Sequence, residues 1–434
     1  MLDVVDVLQR LIRFDTTNPP GNERTAVTYV QDLIESAGVA TTLLAKDPDR
    51  PNLVARVSGR GEAPPLLLQG HIDVVPTTDQ QWAHDPFGGE LIDGYVWGRG
   101  ALDMKSGVVM MVDAFLRAAA GETPPAGDVI LCVVADEEDG GAFGAKFLVE
   151  EHPDLFTDVR YGIGEFGAFP LFLAGKKFYP IQIAERIGVR FTLTMRGPAG
   201  HGSLPVTGGA MAKLGRTLTR LDRRRFPIHV TPATRLMLEA MIAHTDGSTR
   251  RALQALLRPG TAAPALKLLG SQLGVMEPLL RNTVSPTVVA GGAKYNVIPP
   301  ETSLTLDGRM LPGCEPEEFA SELQAIVGRD VDITYASEGL PAHPHPDLAL
   351  FPLLADIVQE EDPDGIPIPF MLPAVTDGRW FAQLGIQHYG FLPMKLPADY
   401  DFQTTVHAAD ERIPVDAIRH GADRMFELLR RYAG

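Results

Sequence analysis

The chain has 434 residues, 39 of them Lys or Arg and 55 Asp or Glu, for a formal charge of −16. At roughly 150 residues per domain this allows two or three domains, and 45% hydrophobic with 22% charged residues is the composition of a folded, globular chain. A net charge of −16 argues against a nucleic-acid partner, because phosphate contacts need a basic face, though it leaves room for a local basic pocket; two cysteines, Cys132 and Cys314, exclude a disulfide framework.

The chain opens with two amphipathic helices. Val4, Val7, Leu8 and Leu11 recur at helical spacing, as do Val27, Val30, Leu33 and Ile34 before Gly38. The stretch MLDVVDVLQRLIRF carries Asp3 and Asp6 where a secretory signal would be basic, and no apolar run reaches the ~18 residues of a membrane span. A cytoplasmic protein without a membrane partner is expected. PLLLQG (65–70) reads as an apolar strand, VVMMVDAFLRAAA (108–120) as a helix ending at Gly121, and DVILCVVA (128–135) as a second strand. AFGAKFLVEE (142–151) follows as a helix and VRYGIG (159–164) as a strand. Strands apolar on both faces, alternating with helices, predict an α/β unit with a mostly parallel sheet covered on both sides.

From about Arg186 the pattern changes. VRFTLTMRG (189–197) alternates like a strand with one wet face, MAKLGRTLTRLDRR (211–224) is helical, and TVVAGGAKYNVIP (287–299) and SLTLDGRML (303–311) read as strands. EPEEFASELQAIVG (315–328) is a helix and VDITYA (331–336) a strand, an order that fits a small antiparallel sheet with helices on one face. A mainly helical stretch at about 228–283 reads as an insertion. After PAHPHPDL (341–348) helix and strand signals return, closing on AIRHGADRMFELLRRYA. The predicted plan is a discontinuous catalytic domain, residues 1–185 and 341–434, with an α+β domain inserted at 186–340.

Chemistry gathers at strand ends. PLLLQG runs into His71 and Asp73, VILCVVA into Asp136, Glu137, Glu138 and Asp139, and VRYGIG into Glu165. Parallel strands of an open sheet deliver their carboxyl ends to one crevice. Asp103 lies in WGRGALDMKSG, just before the long helix. Crowded carboxylates need a cation, and imidazole with carboxylate suits Zn²⁺, with Co²⁺ or Mn²⁺ as substitutes. A metal-bound imidazole commonly gives its other N–H to a carboxylate, which explains His71-x-Asp73. Alone, either HxD or a Glu-Glu pair is an ordinary feature; three strand ends together make a metal site the better reading.

GHIDVVP (70–76), WAHDPFGGELIDGYVWGRGALDMKSG (82–107) and DEEDGGAFGAKFL (136–148) resemble the zinc-dependent aminoacylase/carboxypeptidase family. That family includes succinyl-diaminopimelate desuccinylase, acetylornithine deacetylase and glutamate carboxypeptidase. The resemblance continues through MRGPAGHGSLP, GGAKYNVIP, LDGRMLPG, VTDGRWF and VHAADERIP, in the family's order. It implies two zinc ions per subunit. His71 and Glu165 would belong to the first, Glu138 and His407 to the second, and Asp103 would bridge them. Asp73 would orient His71, and Glu137 would be the general base.

In the inserted domain, which the resemblance makes a lid that also carries a homodimer contact, His201 would steady the oxyanion across the dimer. Asn296 and Arg309 would hold substrate, the guanidinium gripping a free carboxylate, and Thr376 would line the pocket. HAADER departs from the family where an asparagine is frequent, and the 228–283 insertion enlarges the lid. The expected function is hydrolysis of an amide bond in a small peptide or N-acyl amino acid. A desuccinylase-type deacylase and a catalytically inactive metal-binding relative are the rival readings.

Overall fold

The structure, a computed structural model, describes residues 2–173, 175–269, 276–337, 339 and 345–434. The chain forms two compact units, Met1–Ile183 with Pro346–Phe370 and Thr376–Gly434, and Ala184–His345 with Met371–Val375. The expected break at 340/341 lies outside the described residues.

In the first unit a nine-stranded mixed sheet has at its centre four parallel strands, in the order Val129–Val134, Leu66–His71, Tyr161–Gly164 and Gln387–Gly390. Leu68 lies in register with Leu131 on one side and Ile163 on the other. Antiparallel strands flank this centre, Asn52–Val57 and Thr41–Leu44 beyond Val129–Val134, and Lys176–Glu185 beyond Gln387–Gly390.

Every residue of Leu66–His71 and Val129–Val134 is buried, because both faces are covered. Side chains alternate across a strand. Ile130, Cys132 and Val134 enter a core with Ala145, Leu148, Phe156 and Phe381, while the opposite face is covered by the helix Lys105–Ala120. That helix packs against the opening helix Val4–Arg13 and the closing helix Val415–Arg431. Leu8, Leu11 and Ile12 are fully buried there, each stabilising the fold by about 1.5–3 kcal/mol. A small antiparallel sheet of Glu90–Ile92, Tyr95–Trp97 and Arg412–Pro414 pairs Val96 with Ile413. It fixes the segment before Asp103 to the segment after His407.

The second unit is built on an antiparallel sheet ordered Thr283–Ala290, Glu301–Met310, Ile187–Arg196, Asp332–Ser337. Val189, Phe191, Leu193 and Met195 point inward against the helices Ala210–Arg223 and Pro316–Val327, with the Phe191 and Phe319 rings edge to face at 4.9 Å. The helices Pro232–Ala243, Gly247–Leu256 and Pro259–Leu269 fill most of the predicted helical insertion; its residues 270–275 are outside those described. TVVAGGAKYNVIP differs from its prediction as one strand. Gly291 and Gly292, at φ +150° and +79°, break it into Thr283–Ala290 and Val297–Ile298, backbone angles that side-chain-bearing residues rarely adopt.

Candidate metal centre

Three parallel strands end in the groups predicted from their sequence. His71 is the last residue of Leu66–His71, Glu165 follows Tyr161–Gly164, and Glu137 and Glu138 occupy a single 3₁₀ turn after Val129–Val134. Asp136 makes that turn possible. It adopts φ +69°, and its buried carboxylate is held by Arg50 Nη1 at 2.9 Å, Asn18 Nδ2 at 3.0 Å and the Phe143 N–H at 3.0 Å.

Asp103 stands between two imidazoles. Its Oδ1 lies 3.0 Å from His71 Nε2 and its Oδ2 lies 3.1 Å from His407 Nε2. Glu165 Oε2 is 3.4 Å from the same His71 nitrogen, and Glu138 Oε1 is 3.3 Å from the same His407 nitrogen. Among the described residues three triads bring ligand atoms within 4.8 Å of one another, namely His71–Asp103–Glu165, Asp103–Glu138–His407 and His71–Glu137–Glu138. Asp103 is common to the first two.

Asp73 acts differently from the expectation that its carboxylate takes the His71 N–H. His71 Nδ1 is 3.0 Å from the Asp73 backbone carbonyl and 3.6 Å from its carboxylate. That carboxylate instead accepts the N–H groups of Glu137 and Glu138, each at 3.1 Å, and Asn18 Nδ2 at 2.8 Å. One residue therefore aims the histidine with its main chain and holds the glutamate turn with its side chain.

Burial dominates the electrostatics. It pushes Glu165 well above the ordinary carboxylate range, with Glu137 adding to the effect, and it pushes Glu138 up to about 7. Burial works to raise Asp103 too, but hydrogen bonds from His407 and His71 outweigh it and hold that carboxyl far down. The neighbouring carboxylates of Asp103 and Glu138 raise His407 to about 10. Buried Glu138 Oε1 meets His407 Nε2 at 3.3 Å without a well-aligned hydrogen bond, and an under-compensated buried carboxylate oxygen is costly. A divalent cation fits this donor set, since it would satisfy that oxygen and relieve the repulsion among the acids.

Thr376, expected to line the pocket, is 1% exposed, and its hydroxyl accepts the Gly378 N–H at 3.0 Å. Its carbonyl accepts Arg379 Nη1 at 3.0 Å, so its route to the site runs through Arg379. Within the second unit, the pairing of His201 with Val297 brings His201 beside Asn296, whose carbonyl accepts the Gly202 N–H at 2.9 Å. Arg309 lies on the separate strand Glu301–Met310 and pairs with Asp307 at 2.9 Å. Sequence reasoning assigned no role to Arg50, Arg99, Arg379 or Glu411, all of them buried or nearly so. Arg99, in WGRG, carries a signal in the sequence, a charge within a glycine-rich run.

Such an arrangement, ligand side chains at parallel strand ends around a shared carboxylate, defines a metal-dependent hydrolase of the peptidase and amidohydrolase class. Residues 67–431 match the family described as Peptidase family M20/M25/M40, and the chain belongs to that family. It is 27% identical over 379 residues to a probable carboxypeptidase S-like 2 of Dictyostelium discoideum, covering 84% of this chain and 71% of that protein. Human N-fatty-acyl-amino acid synthase/hydrolase PM20D1 is 27% identical over 375 residues, 84% of this chain and 74% of its own. A succinyl-diaminopimelate desuccinylase of Cereibacter sphaeroides is 35% identical over 232 residues, 51% of this chain and 57% of its own.

The fold matches an M20 family metallo-carboxypeptidase from Sulfolobus solfataricus with a TM-score of 0.72 over all of both chains at 16% identity. Human carnosine dipeptidase 1 matches at 0.68, 15% identity, over 99% and 96% of the two chains. No helix among the described residues is long and apolar enough to cross a membrane.

Proposed function

We propose that this chain hydrolyses an amide bond in an N-acyl amino acid or short peptide, with Glu137 as general base. The observation that carries this reading is the division of Asp103, one oxygen toward His71 and the other toward His407. His71, Asp103 and Glu165 would hold one cation and Asp103, Glu138 and His407 a second, with Zn²⁺ the ion these donors suit and Co²⁺ or Mn²⁺ able to replace it. Bound there, the pair would polarise the scissile carbonyl and lower the pKa of a water.

Glu137, on the same turn as Glu138 and beside His71 in a third triad, takes the proton from that water and returns it to the leaving amine. Asp73 keeps Glu137 in place through its backbone N–H. His201 turns Nδ1 to Ser203, with Oγ at 2.7 Å and the N–H at 3.2 Å, and would present Nε2 to a developing oxyanion. Asn296 and Arg309 bind the substrate, Arg309 by gripping a free carboxylate with its planar fork. The strand Thr283–Ala290 is an exposed edge with Val288 and Val289 each 56% exposed, which supports a homodimer through this unit; light scattering of the purified chain measures it.

The relatives named as a carboxypeptidase-like protein and an N-fatty-acyl-amino acid hydrolase support this substrate range. The match to a desuccinylase favours a second reading, removal of a succinyl group from an amino acid. Release of free amine from a panel of N-acyl and N-succinyl amino acids and dipeptides, with and without chelator, decides between them. Turnover that survives complete metal removal would sink both.

A further inference from the structure

Outside the ligand set, one buried ion pair grips two of its members. Arg99 and Glu411 are 1% and 0% exposed and meet through Arg99 Nη1 and Glu411 Oε2 at 2.5 Å. The other carboxylate oxygen, Oε1, accepts the backbone N–H of Leu102 at 2.7 Å and of Asp103 at 3.2 Å. The other terminal guanidinium nitrogen, Nη2, donates to the backbone carbonyl of His407 at 3.2 Å and to Gln80 Oε1 at 2.8 Å. Gln80 donates in turn to the same His407 carbonyl at 2.8 Å, and the Trp82 ring lies 5.2 Å from the guanidinium centre.

His407 needs this support. It sits at φ +62°, a left-handed conformation that costs a side-chain-bearing residue about 1–3 kcal/mol unless its surroundings hold it. Two donors on its carbonyl supply that hold. Asp103, at the other end of the pair, must keep its carboxylate plane such that Oδ1 and Oδ2 reach different imidazoles. A buried ion pair is poor evidence of stabilisation, because desolvation offsets much of the attraction. The geometry gives it another use.

We infer that Arg99 and Glu411 form a positioning pair that sets the Asp103–Glu138–His407 cation site in register with the His71–Asp103–Glu165 site. This rests on the two-cation reading above. Neither residue touches substrate or cation; each acts through a ligand's main chain. Glu411 governs the bridging carboxylate, and Arg99 governs the histidine that only the second site uses. The planar fork of arginine reaches Glu411, Gln80 and His407 together, which a lysine ammonium on one flexible stem cannot do.

The test is a titration of metal-free protein with Zn²⁺ by calorimetry and with Co²⁺ by visible absorption, on the wild type, Arg99→Lys and Glu411→Gln. Circular dichroism verifies that each variant is folded, and Gln80→Ala replaces any that is not. The wild type should bind two cations in separable steps. Arg99→Lys should keep its first step within about 3-fold while the second weakens by roughly 10–100-fold, with an altered Co²⁺ spectrum for that step. Glu411→Gln, which also acts on the shared Asp103, should weaken the second step at least about 10-fold more than the first. Equal weakening of both steps, or of neither, overturns the inference. His407→Ala distinguishes the two levels of the argument. If it leaves a two-cation stoichiometry unchanged, His407 holds no cation and the role of the pair fails, whereas a wild type that binds only one cation fails the two-cation reading itself.

Discussion

Arg379 holds Nη1 3.8 Å from Oε1 of Glu137, with 3% and 10% of the two side chains exposed. Burial pushes the Glu137 carboxyl up, and the charges of His71 and Arg379 pull it back toward the ionised form. A base must be deprotonated to work. Removing the guanidinium in Arg379→Met therefore raises the Glu137 pKa, and the acid limb of the kcat/KM profile should move to higher pH by about one unit. An acid limb that stays in place would dissociate the arginine from the base.

Glu137→Gln should separate binding from chemistry. The amide is nearly isosteric and leaves the Asp73 bond to the residue's N–H intact, so metal content by elemental analysis should match the wild type. Loss of the proton acceptor should lower kcat by about 10²–10⁴-fold. A variant that turns over normally would mean that another group carries the proton.

Single-ligand removals should not be equivalent. His71→Ala should lose the first cation and His407→Ala the second, whereas Asp103→Ala should impair both, since both triads use that carboxylate. Chelator should also lower Tm, because a ligand present at about 1,000 times its Kd stabilises the folded state by roughly 4 kcal/mol. Metal content and thermal melting of the three variants measure this.

His388 gives a pH dependence of stability. Burial holds its pKa down to about 4, and its Nε2 lies 3.1 Å from the Gln69 amide. The unfolded chain protonates this ring near pH 6.5 while the folded chain does so only near pH 4. Between those values the unfolded state binds more protons, so stability falls as pH drops, by on the order of 2–3 kcal/mol. In metal-free protein, His388→Gln should flatten urea unfolding midpoints across this window. An unchanged slope would point to other groups.

The fold of the first unit was legible because its signals are local. The runs PLLLQG, DVILCVVA and VRYGIG are apolar on both faces and became three neighbouring buried strands. Their terminal residues, His71, Glu137, Glu138 and Glu165, were legible from the same runs, since a strand's end dictates where the next side chain emerges. His407 was not. It follows a short helix, Phe402–Thr405, and its place depends on long-range bonds to Gln80 and Arg99 that no periodicity encodes. Asp73 was legible as a partner of the site, but its main-chain contact to His71 was not, because sequence spacing does not say which acceptor wins. The inclusion of Met371–Val375 in the second unit also escaped the pattern, as five residues are too few for composition to mark.

The distribution of the ligands along the chain has a consequence for biosynthesis. His71 emerges early from the ribosome, yet its neighbours in the site include His407, and the helix Val415–Arg431 that packs on Lys105–Ala120 comes later still. Chains fold as they are made, with N-terminal parts first where those parts are self-sufficient. Here the first unit draws on Pro346–Phe370 and Thr376–Gly434, which are made only after the whole of Ala184–His345. The proposed second cation site, which uses His407, can therefore form only after Ala184–His345 has been synthesised, and truncation before His407 should abolish it.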